Sequence, residues 1–333
     1  MPEREIPLSR QLEHLTTMAN ESLGLWRLPG QARARLINVS ENATFLVEGG
    51  GQKCVLRIHR QNYHSYRAIE CELAWINALA RESQVLPPRV IPGRDGNTIQ
   101  TGRIAALPGQ RFMVMFAFIE GRQPDDDQGL EGHFRDLGAI AARTHLHALV
   151  WQRPHPFERL TWNLDTVFGK SPPWGDWRSG PNLKHEEIAL LARVENTVTA
   201  RLGRFGACRE RYGLIHADMR LANLLVNESG TRLIDFDDCG FGWFLYDFAA
   251  AVSFIEDHPK LNDLREAWIG GYTGVRPLSR DDVAEIDSFI MLRRLALLAW
   301  IGSHIEAPEP QALAPDFGRV SAELGEKYLS KFG

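Results

Sequence analysis

The sequence has little cysteine, no strong excess of one charge and no long apolar run. Its 4 cysteines, among 333 residues, stand far apart and form no C-x-x-C pair. That spacing argues against a structural zinc site and against a secreted disulfide framework, and it favours a reducing cytoplasm. A formal net charge of -4 provides no field that would attract nucleic acid or anionic lipid, so we expect neither as a partner.

Hydrophobic segments are too short for a membrane protein. The most apolar stretch, residues 295–301, directly follows Arg293 and Arg294 and cannot span a bilayer. Residues 1–15 carry charges and contain no apolar leader segment. We therefore expect neither a signal peptide nor a membrane helix, and we expect a cytoplasmic location.

The composition is that of an ordinary globular protein, with 44% hydrophobic and 24% charged residues. A chain of this length exceeds the usual size of one hydrophobic core. The sequence therefore predicts two lobes, each with an interior of its own.

The N-terminal part of the chain alternates strand-like runs with single helices. After a short helix that starts near Leu8, residues 33–60 contain three strand-like segments, two of them joined by a Gly-rich turn. Residues 64–82 have apolar side chains at helical spacing, and two further strand candidates lead into a polar, hinge-like stretch. We place the lobe boundary there, with an N-lobe at 1–120 and a C-lobe at 121–333.

The C-terminal part is mainly helical. Helical spacing of apolar residues recurs at 134–150, at 185–202 and from Tyr246 onward. Short strands interrupt this pattern at 213–225 and 231–238. The C-lobe is therefore expected to be a set of helices with small strand pairs.

The segment GLIHADMRLANLL, residues 213–225, places polar groups between two apolar runs. The apolar runs predict short buried strands, so the loop between them is held at both ends by core packing. Asp218 and Asn223 carry hard oxygen donors, and LIDFDD supplies a second carboxylate, Asp235, on the next hairpin strand. Together these groups suit a Mg²⁺ ion and a catalytic base.

The pattern HADMRLAN followed by IDFDD resembles the catalytic and metal-binding loops of the protein-kinase-like superfamily. With LYDFA added, it is most similar to the aminoglycoside phosphotransferase and choline kinase family, near the homoserine kinase and stress-response kinase branches. The resemblance covers nearly the whole chain. It implies an α+β, two-lobed protein-kinase-like fold, with an antiparallel five-stranded sheet plus a helix in the N-lobe and a mainly helical C-lobe.

The resemblance implies roles for the C-lobe residues. Asp218 would accept the proton of the substrate hydroxyl, and Asn223 and Asp235 would hold Mg²⁺ against the phosphates of ATP. His216 would brace the loop by hydrogen bonding. Arg220 stands where protein kinases often place a lysine, and it would neutralise charge on the transferred phosphoryl group.

In the N-lobe, VLRIH resembles the third strand of the family, whose basic residue pairs with phosphates and with a helix carboxylate. That residue is Arg57 here, where the family usually has Lys. Arginine is always charged and binds phosphate or carboxylate through two donors. Arg57 therefore supplies the positive charge that the usual lysine would supply. Glu72 on the following helix is its expected partner, and Lys53 is the alternative basic residue.

The phosphate-covering loop lacks the G-x-G-x-x-G of protein kinases and has instead NVSENATF, residues 38–45. Its backbone N–H groups and the hydroxyls of Ser40 and Thr44 are expected to contact phosphate. Backbone groups from Phe118 to Glu120 are expected to bind the adenine edge, as the hinge of similar kinases does.

Other polar groups receive structural interpretations. His145 and His147 point to different helix faces, which favours packing or surface roles over a metal site. Residues 124–128 are more typical of a solvated turn than of a site for a cationic substrate. For Asp238 two roles stay open, a solvated turn and a site for a cationic substrate. Asp247 is interpreted as capping or bracing the catalytic loop.

The sequence thus predicts an ATP- and Mg²⁺-dependent kinase that phosphorylates a hydroxyl of a small, amine-bearing metabolite. The resemblance leaves several acceptors open: an aminoglycoside, choline or ethanolamine, homoserine or a similar compound. One alternative is a catalytically silent nucleotide-binding signalling module. Another is a protein Ser/Thr kinase of the stress-response type, although no activation-segment signature stands between Asp235 and Tyr246.

Overall fold

The computed structural model describes residues 6–39, 42–124, 129–228 and 230–333. These residues form two compact units. Unit 1 contains the described residues of Met1–Ala80, Pro87–Glu120 and Arg153–Glu158, and unit 2 contains those of Arg81–Leu86, Gly121–Gln152 and Arg159–Gly333.

Unit 1 is built on one antiparallel sheet in the order β1-β2-β3-β6-β4, with β5 also paired to β6. Its elements are α1 (Leu8–Ser22), a 3₁₀ turn (Leu23–Leu25), β1 (Arg33–Val39), β2 (Ala43–Gly49), β3 (Gln52–Ile58), α2 (Tyr66–Glu82, whose last two residues are assigned to unit 2), β4 (Val90–Ile91), β5 (Ile99–Gly102) and β6 (Arg111–Ala117).

The β2–β3 hairpin follows directly from the local sequence. Ala43, Phe45 and Val47 alternate on the buried face of β2, as period-two strands require. Gly50 and Gly51 form the two-residue turn with φ angles of 56° and 77°. Left-handed backbone at both positions gives the turn that best matches the twist of paired strands, and glycine adopts it without strain.

The five strands predicted for this sheet are all present, and the structure adds a sixth. The extra strand, β4, has only two residues, Val90 and Ile91, which pair with Phe116 and Met115 of β6. Two residues are too few to show any alternation, so no pattern marked this strand in advance.

Unit 2 is mainly helical, with a two-stranded β9–β10 hairpin and a three-stranded β7-β11-β8 sheet. Its helices are α3 (Leu130–Val150), α4 (Leu164–Phe168), α5 (His185–Phe205), α6 (Tyr246–Ala251), α7 (Leu261–Thr273), α8 (Arg280–Ala284), α9 (Ile286–Ser303) and α10 (Pro308–Phe332), with 3₁₀ turns at Trp177–Ser179 and Leu221–Asn223. Its strands are β7 (Leu160–Trp162), β8 (Tyr212–Ile215), β9 (Leu224–Asn227), β10 (Gly230–Leu233) and β11 (Gly240–Trp243).

Helices α3 and α7 pack very closely because glycine stands at both sides of their contact. A Cβ atom on Gly138 would lie 2.1 Å from the carbonyl oxygen of Trp268, and one on Gly271 would lie 1.8 Å from that of Arg135. No side chain fits at those distances. This close packing fixes α3, which carries His145, against α7, which carries Tyr272.

Helix α9 lies in the interior of unit 2. It is apolar around nearly its whole circumference, and such a helix can only be stable when it is buried. Arg293 and Arg294 nevertheless stand in its middle and are buried with it. Among the described residues, no helix combines the length and the apolar character needed to cross a bilayer.

Candidate active site

The loop that carries Asp218 begins where β8 ends, and its shape depends on Asp247. Asp247 Oδ1 accepts the backbone N–H of Ala217 at 2.7 Å, and Oδ2 accepts that of His216 at 3.2 Å. Ala217 has a φ of 68°, in the left-handed region that costs a non-glycine residue about 1 kcal/mol. The two hydrogen bonds stabilise this conformation, so Asp247 braces the loop as predicted.

Asp247 is in turn held by His145, which is completely buried on α3. His145 Nε2 lies 2.9 Å from Asp247 Oδ2, and its Nδ1 lies 3.0 Å from the hydroxyl of Tyr272. Burial lowers the pKa of His145 and outweighs the opposing effect of Asp247, so the ring is neutral. Its single N–H therefore donates to Asp247, while the Tyr272 hydroxyl donates to Nδ1.

His216 links the loop to the segment that leads to Asp235. The backbone N–H of Asp218 lies 3.3 Å from His216 Nδ1, and Nε2 lies 3.1 Å from the carbonyl oxygen of Ile234. Since Nδ1 accepts, Nε2–H donates. These contacts are with backbone groups, which suits the predicted bracing role.

The carboxylate of Asp218 is surrounded by three donor side chains. Asn223 Nδ2 donates to Oδ2 at 2.7 Å, and Arg220 Nε approaches the same oxygen at 3.3 Å. Arg293 Nη2 donates to Oδ1 at 2.9 Å. Asp218 thus meets two arginines and an amide, and the side chains touch both of its oxygens.

These neighbours keep Asp218 ionised. Burial opposes the charge, but the positive charges of Arg220 and Arg293 and the hydrogen bond from Asn223 outweigh it and hold the pKa of Asp218 below its ordinary value of 3.8. An ionised carboxylate can accept a hydrogen bond from a hydroxyl group and take up its proton.

Arg220 also contacts Glu309, in the first turn of α10. Its Nη1 lies 2.6 Å from Glu309 Oε1, and its Nη2 lies 3.4 Å from Oε2. Burial disfavours the charge on Arg220, but Asp218, Glu309 and, more weakly, Asp235 outweigh this effect and raise the pKa of Arg220. The guanidinium therefore joins the loop that carries Asp218 to a helix far along the chain.

The residues expected to bind a metal have donors that fit Mg²⁺. Asn223 directs its amide nitrogen at Asp218, which leaves its amide oxygen as the atom a cation would use. A backbone hydrogen bond of 2.9 Å from Ile234 N to Asn223 O joins the loop to the segment that carries Asp235. An amide oxygen and a carboxylate are hard ligands of the kind that Mg²⁺ prefers.

Asp235 was predicted on the hairpin strand, and the structure places it beyond that strand. Strand β10 ends at Leu233, and Asp235 has a φ of 60°. Aspartate tolerates left-handed backbone better than most residues.

In unit 1, Arg57 and Glu72 form the ion pair that the sequence predicted. Arg57 Nη2 lies 2.6 Å from Glu72 Oε1 and 2.8 Å from Oε2, and both residues are buried. The alternative residue, Lys53, is paired elsewhere: its Nζ lies 3.1 Å from Glu120 Oε1 and 5.0 Å from the ring centre of Phe118. Arg57 is therefore the basic residue that meets the helix carboxylate.

Of the two hydroxyl residues predicted to contact phosphate, the structure describes Thr44 but not Ser40. Thr44 lies on β2 opposite Arg57 of β3. Ser40 lies outside the described residues, as do positions 125–128 of the acidic turn.

Two side chains of the site were not predicted as functional residues: Arg293 and Glu309. For Arg293 a signal exists in the sequence, because two arginines within the apolar run MLRRLALLAWI must bury charge that needs a partner. Nothing local identifies Asp218 as that partner, since it stands 75 positions earlier. For Glu309 we find no sequence signal.

Comparison with known proteins shows the family of the chain. Residues 34–280 match the family described as the phosphotransferase enzyme family, APH. The chain belongs to this family. A solved microcompartment-associated aminopropanol kinase is 43% identical to the chain, with a TM-score of 0.88 over 95% of this chain and 98% of that one.

More distant relatives of this phosphotransferase are also kinases. The homoserine kinase of Neisseria meningitidis is 29% identical over 53% of this chain and 54% of its own length. The amicoumacin kinase hAmiN, solved with AMP-PNP, Ca²⁺ and Ami, is 18% identical and shares the fold, with a TM-score of 0.75 over 98% of this chain and 95% of its own. The predicted family and the kinase-like α+β fold are confirmed, and the chain is a small-molecule phosphotransferase.

Proposed function

We propose that this phosphotransferase moves the γ-phosphoryl group of ATP, with Mg²⁺, to a hydroxyl group of a small amino alcohol. The observation that carries the proposal is the ionised, loop-held carboxylate of Asp218 in contact with Asn223 and Arg220. A base, an oxygen ligand for a cation and a positive charge are the groups that phosphoryl transfer needs.

The reaction assigns one task to each group. The acceptor hydroxyl gives its proton to Asp218 as its oxygen forms a bond to the γ-phosphorus. The bond between that phosphorus and the β–γ bridging oxygen breaks, and ADP leaves with the electron pair. Bound Mg²⁺ would neutralise phosphate charge, held by Asn223 and Asp235, and Arg220 would stabilise the phosphoryl group in transit.

Unit 1 would bind the nucleotide. The charge of Arg57 is oriented by Glu72 and would meet the α- and β-phosphates. The hydroxyls of Ser40 and Thr44 are further phosphate contacts under this proposal, and the backbone from Phe118 to Glu120 would bind adenine.

The choice of an amino alcohol as acceptor rests on similarity. A relative with 43% identity over nearly the whole chain is named an aminopropanol kinase. That compound carries an amine and a hydroxyl, in agreement with the amine-bearing metabolite expected from the sequence.

The test is ADP release from Mg·ATP with 1-amino-2-propanol, ethanolamine, choline, homoserine and an aminoglycoside. Propane-1,2-diol serves as the matched acceptor without an amine. The proposal expects turnover with at least one amino alcohol, less turnover with the diol, and loss of turnover in Asp218→Asn.

Other outcomes would change the assignment. Tight Mg·ATP binding without transfer to any acceptor would favour the silent nucleotide-binding module. Transfer to protein serine or threonine, with none to the small acceptors, would favour a protein kinase. Turnover that persists in Asp218→Asn would refute the role of this carboxylate.

A further inference from the structure

Arg293 is a buried arginine whose side chain reaches the proposed catalytic carboxylate. Its side chain is 3% exposed, and its Nη2 donates to Asp218 Oδ1 at 2.9 Å. The guanidinium carbon lies 5.4 Å from the ring centre of Trp174 and 5.7 Å from that of Tyr246. The two aromatic rings therefore pack near the guanidinium, while its Nη2 points to the loop that carries Asp218.

Stability alone does not account for a charge at this position. Burying a guanidinium removes its hydration, and a buried ion pair is often no more stable than apolar side chains of similar volume. Helix α9 is otherwise apolar, so a leucine or methionine would suit the surrounding core. A buried guanidinium needs a partner for its charge, and for Arg293 that partner is Asp218.

The two carboxylate oxygens of Asp218 accept different numbers of hydrogen bonds from side chains. Oδ2 accepts from Asn223 at 2.7 Å and lies 3.3 Å from Arg220 Nε, so both of its lone pairs have donors. Among the described residues, Oδ1 accepts from the Arg293 side chain alone. A carboxylate oxygen accepts two hydrogen bonds, so Oδ1 has one acceptor position left for a hydroxyl group.

We propose that Arg293 is a positioning residue that holds Asp218 so that the remaining lone pair of Oδ1 accepts the hydroxyl of the phosphoryl acceptor. This inference rests on the proposed phosphotransfer function and adds to it the orienting group and the reacting oxygen. Arg293 does not touch the transferred phosphoryl group; it acts through the carboxylate.

The adjacent residue, Arg294, provides a matched control. It lies on the same helix, its side chain is also 3% exposed, and its partner is Glu256 at 2.6 Å. Arg294 also contacts Ser321 on α10. It has the same burial and the same charge as Arg293, but its carboxylate partner is Glu256 and not Asp218.

The experiment compares Arg293→Gln, Arg293→Lys and Arg294→Gln with the wild-type enzyme. Each protein is checked by thermal melting and assayed for phosphoryl transfer to 1-amino-2-propanol at a temperature where it is folded. If ethanolamine proves the better acceptor of the panel, it replaces aminopropanol in all proteins.

The expected result is a kcat effect that is specific to position 293. In Arg293→Gln, kcat falls about 100-fold because the base is misoriented, while the KM for ATP stays the same. Lysine at position 293 keeps the charge and one donor and recovers part of the loss. Arg294→Gln melts at a lower temperature but keeps its kcat.

Three results would overturn the inference. One is a folded Arg293→Gln enzyme with wild-type kcat while Asp218→Asn is inactive, which leaves the proposed function intact. A second is an equal kcat loss in folded Arg294→Gln, which would mean that helix packing alone matters. The third is absence of transfer by the wild-type enzyme to every acceptor, which would remove the proposed function as well. If Arg293→Gln does not fold, Arg293→Lys is judged by the same kcat criterion.

Discussion

Arg220 bridges Asp218 and Glu309, with its Nε 3.3 Å from the first carboxylate and its Nη1 2.6 Å from the second. The two contacts differ in their exposure to solvent: the Glu309 side chain is 43% exposed, and that of Asp218 is only 16% exposed. Solvent screens the contact with Glu309, so that contact holds Arg220 only weakly.

Arg220→Ala is expected to lower kcat about 100-fold, because the variant loses the charge that we propose stabilises the transferred phosphoryl group. Glu309→Gln removes only an exposed partner, so its kcat should change by less than about fivefold. Steady-state ADP release from both variants checks this contrast. An unaltered kcat in Arg220→Ala would refute the electrostatic role.

Asp247→Asn is expected to destabilise the protein by about 3 kcal/mol, because a buried carboxylate that accepts two backbone N–H groups loses its charge. Urea unfolding followed by circular dichroism measures the change. Asp287→Asn is the control: its contacts with Arg265 and Lys331 are partly exposed, and it should cost less than about 1 kcal/mol. Similar losses in both variants would contradict the bracing role.

His145 should make stability depend on pH. Burial lowers the pKa of His145 from its ordinary value of 6.5, so below that pH the unfolded chain binds a proton that the folded chain does not. As the pH is lowered below 6.5, the free energy of unfolding therefore decreases by up to about 1.4 kcal/mol per pH unit. The decrease stops once the pH is below the folded-state pKa of His145. Above pH 6.5 this contribution is fully present.

The measurement compares urea unfolding of the wild type and His145→Gln at about pH 7.5 and about pH 5.5. Glutamine keeps an N–H donor for Asp247 but does not titrate, so the variant should lose less stability on acidification. His147, whose pKa burial also lowers, is present in both proteins and cancels in the comparison. Equal losses would contradict the assignment.

Asp235→Asn is expected to raise the Mg²⁺ concentration needed for ATP binding about tenfold, because the proposed Mg²⁺ site would lose a charged oxygen ligand. Calorimetry of ATP binding across a Mg²⁺ series measures this without relying on turnover. Asp263→Asn, an exposed carboxylate on α7, is the control and should leave the Mg²⁺ dependence unchanged. A wild-type Mg²⁺ dependence in Asp235→Asn would argue against a metal ligand there.

Much of the fold follows from local pattern. Helices α2 and α5 and the β2–β3 hairpin were predicted because apolar spacing and a Gly-Gly turn are local signals. Strand β4 has too few residues for such a signal and depends on its pairing with β6. His145 was assigned only a packing or surface role, since its hydrogen bond to Asp247 joins residues 102 positions apart.

The sequence by itself determined the contacts made within one short segment. Asn223 stands five positions after Asp218, and its amide meets the carboxylate across a short 3₁₀ turn. The family motif depends on this short spacing, so it can be recognised without a structure.

Only the tertiary structure decided how that loop is oriented. Arg293 reaches Asp218 because α9 is buried in unit 2, and Asp247 reaches Ala217 because α6 follows the β11 strand that pairs with β8. Each contact depends on how separate elements pack. The spacing of residues along the chain carries no information about that packing, so the contact of Arg293 with Asp218 and the backbone atoms that Asp247 binds became visible only in the folded protein.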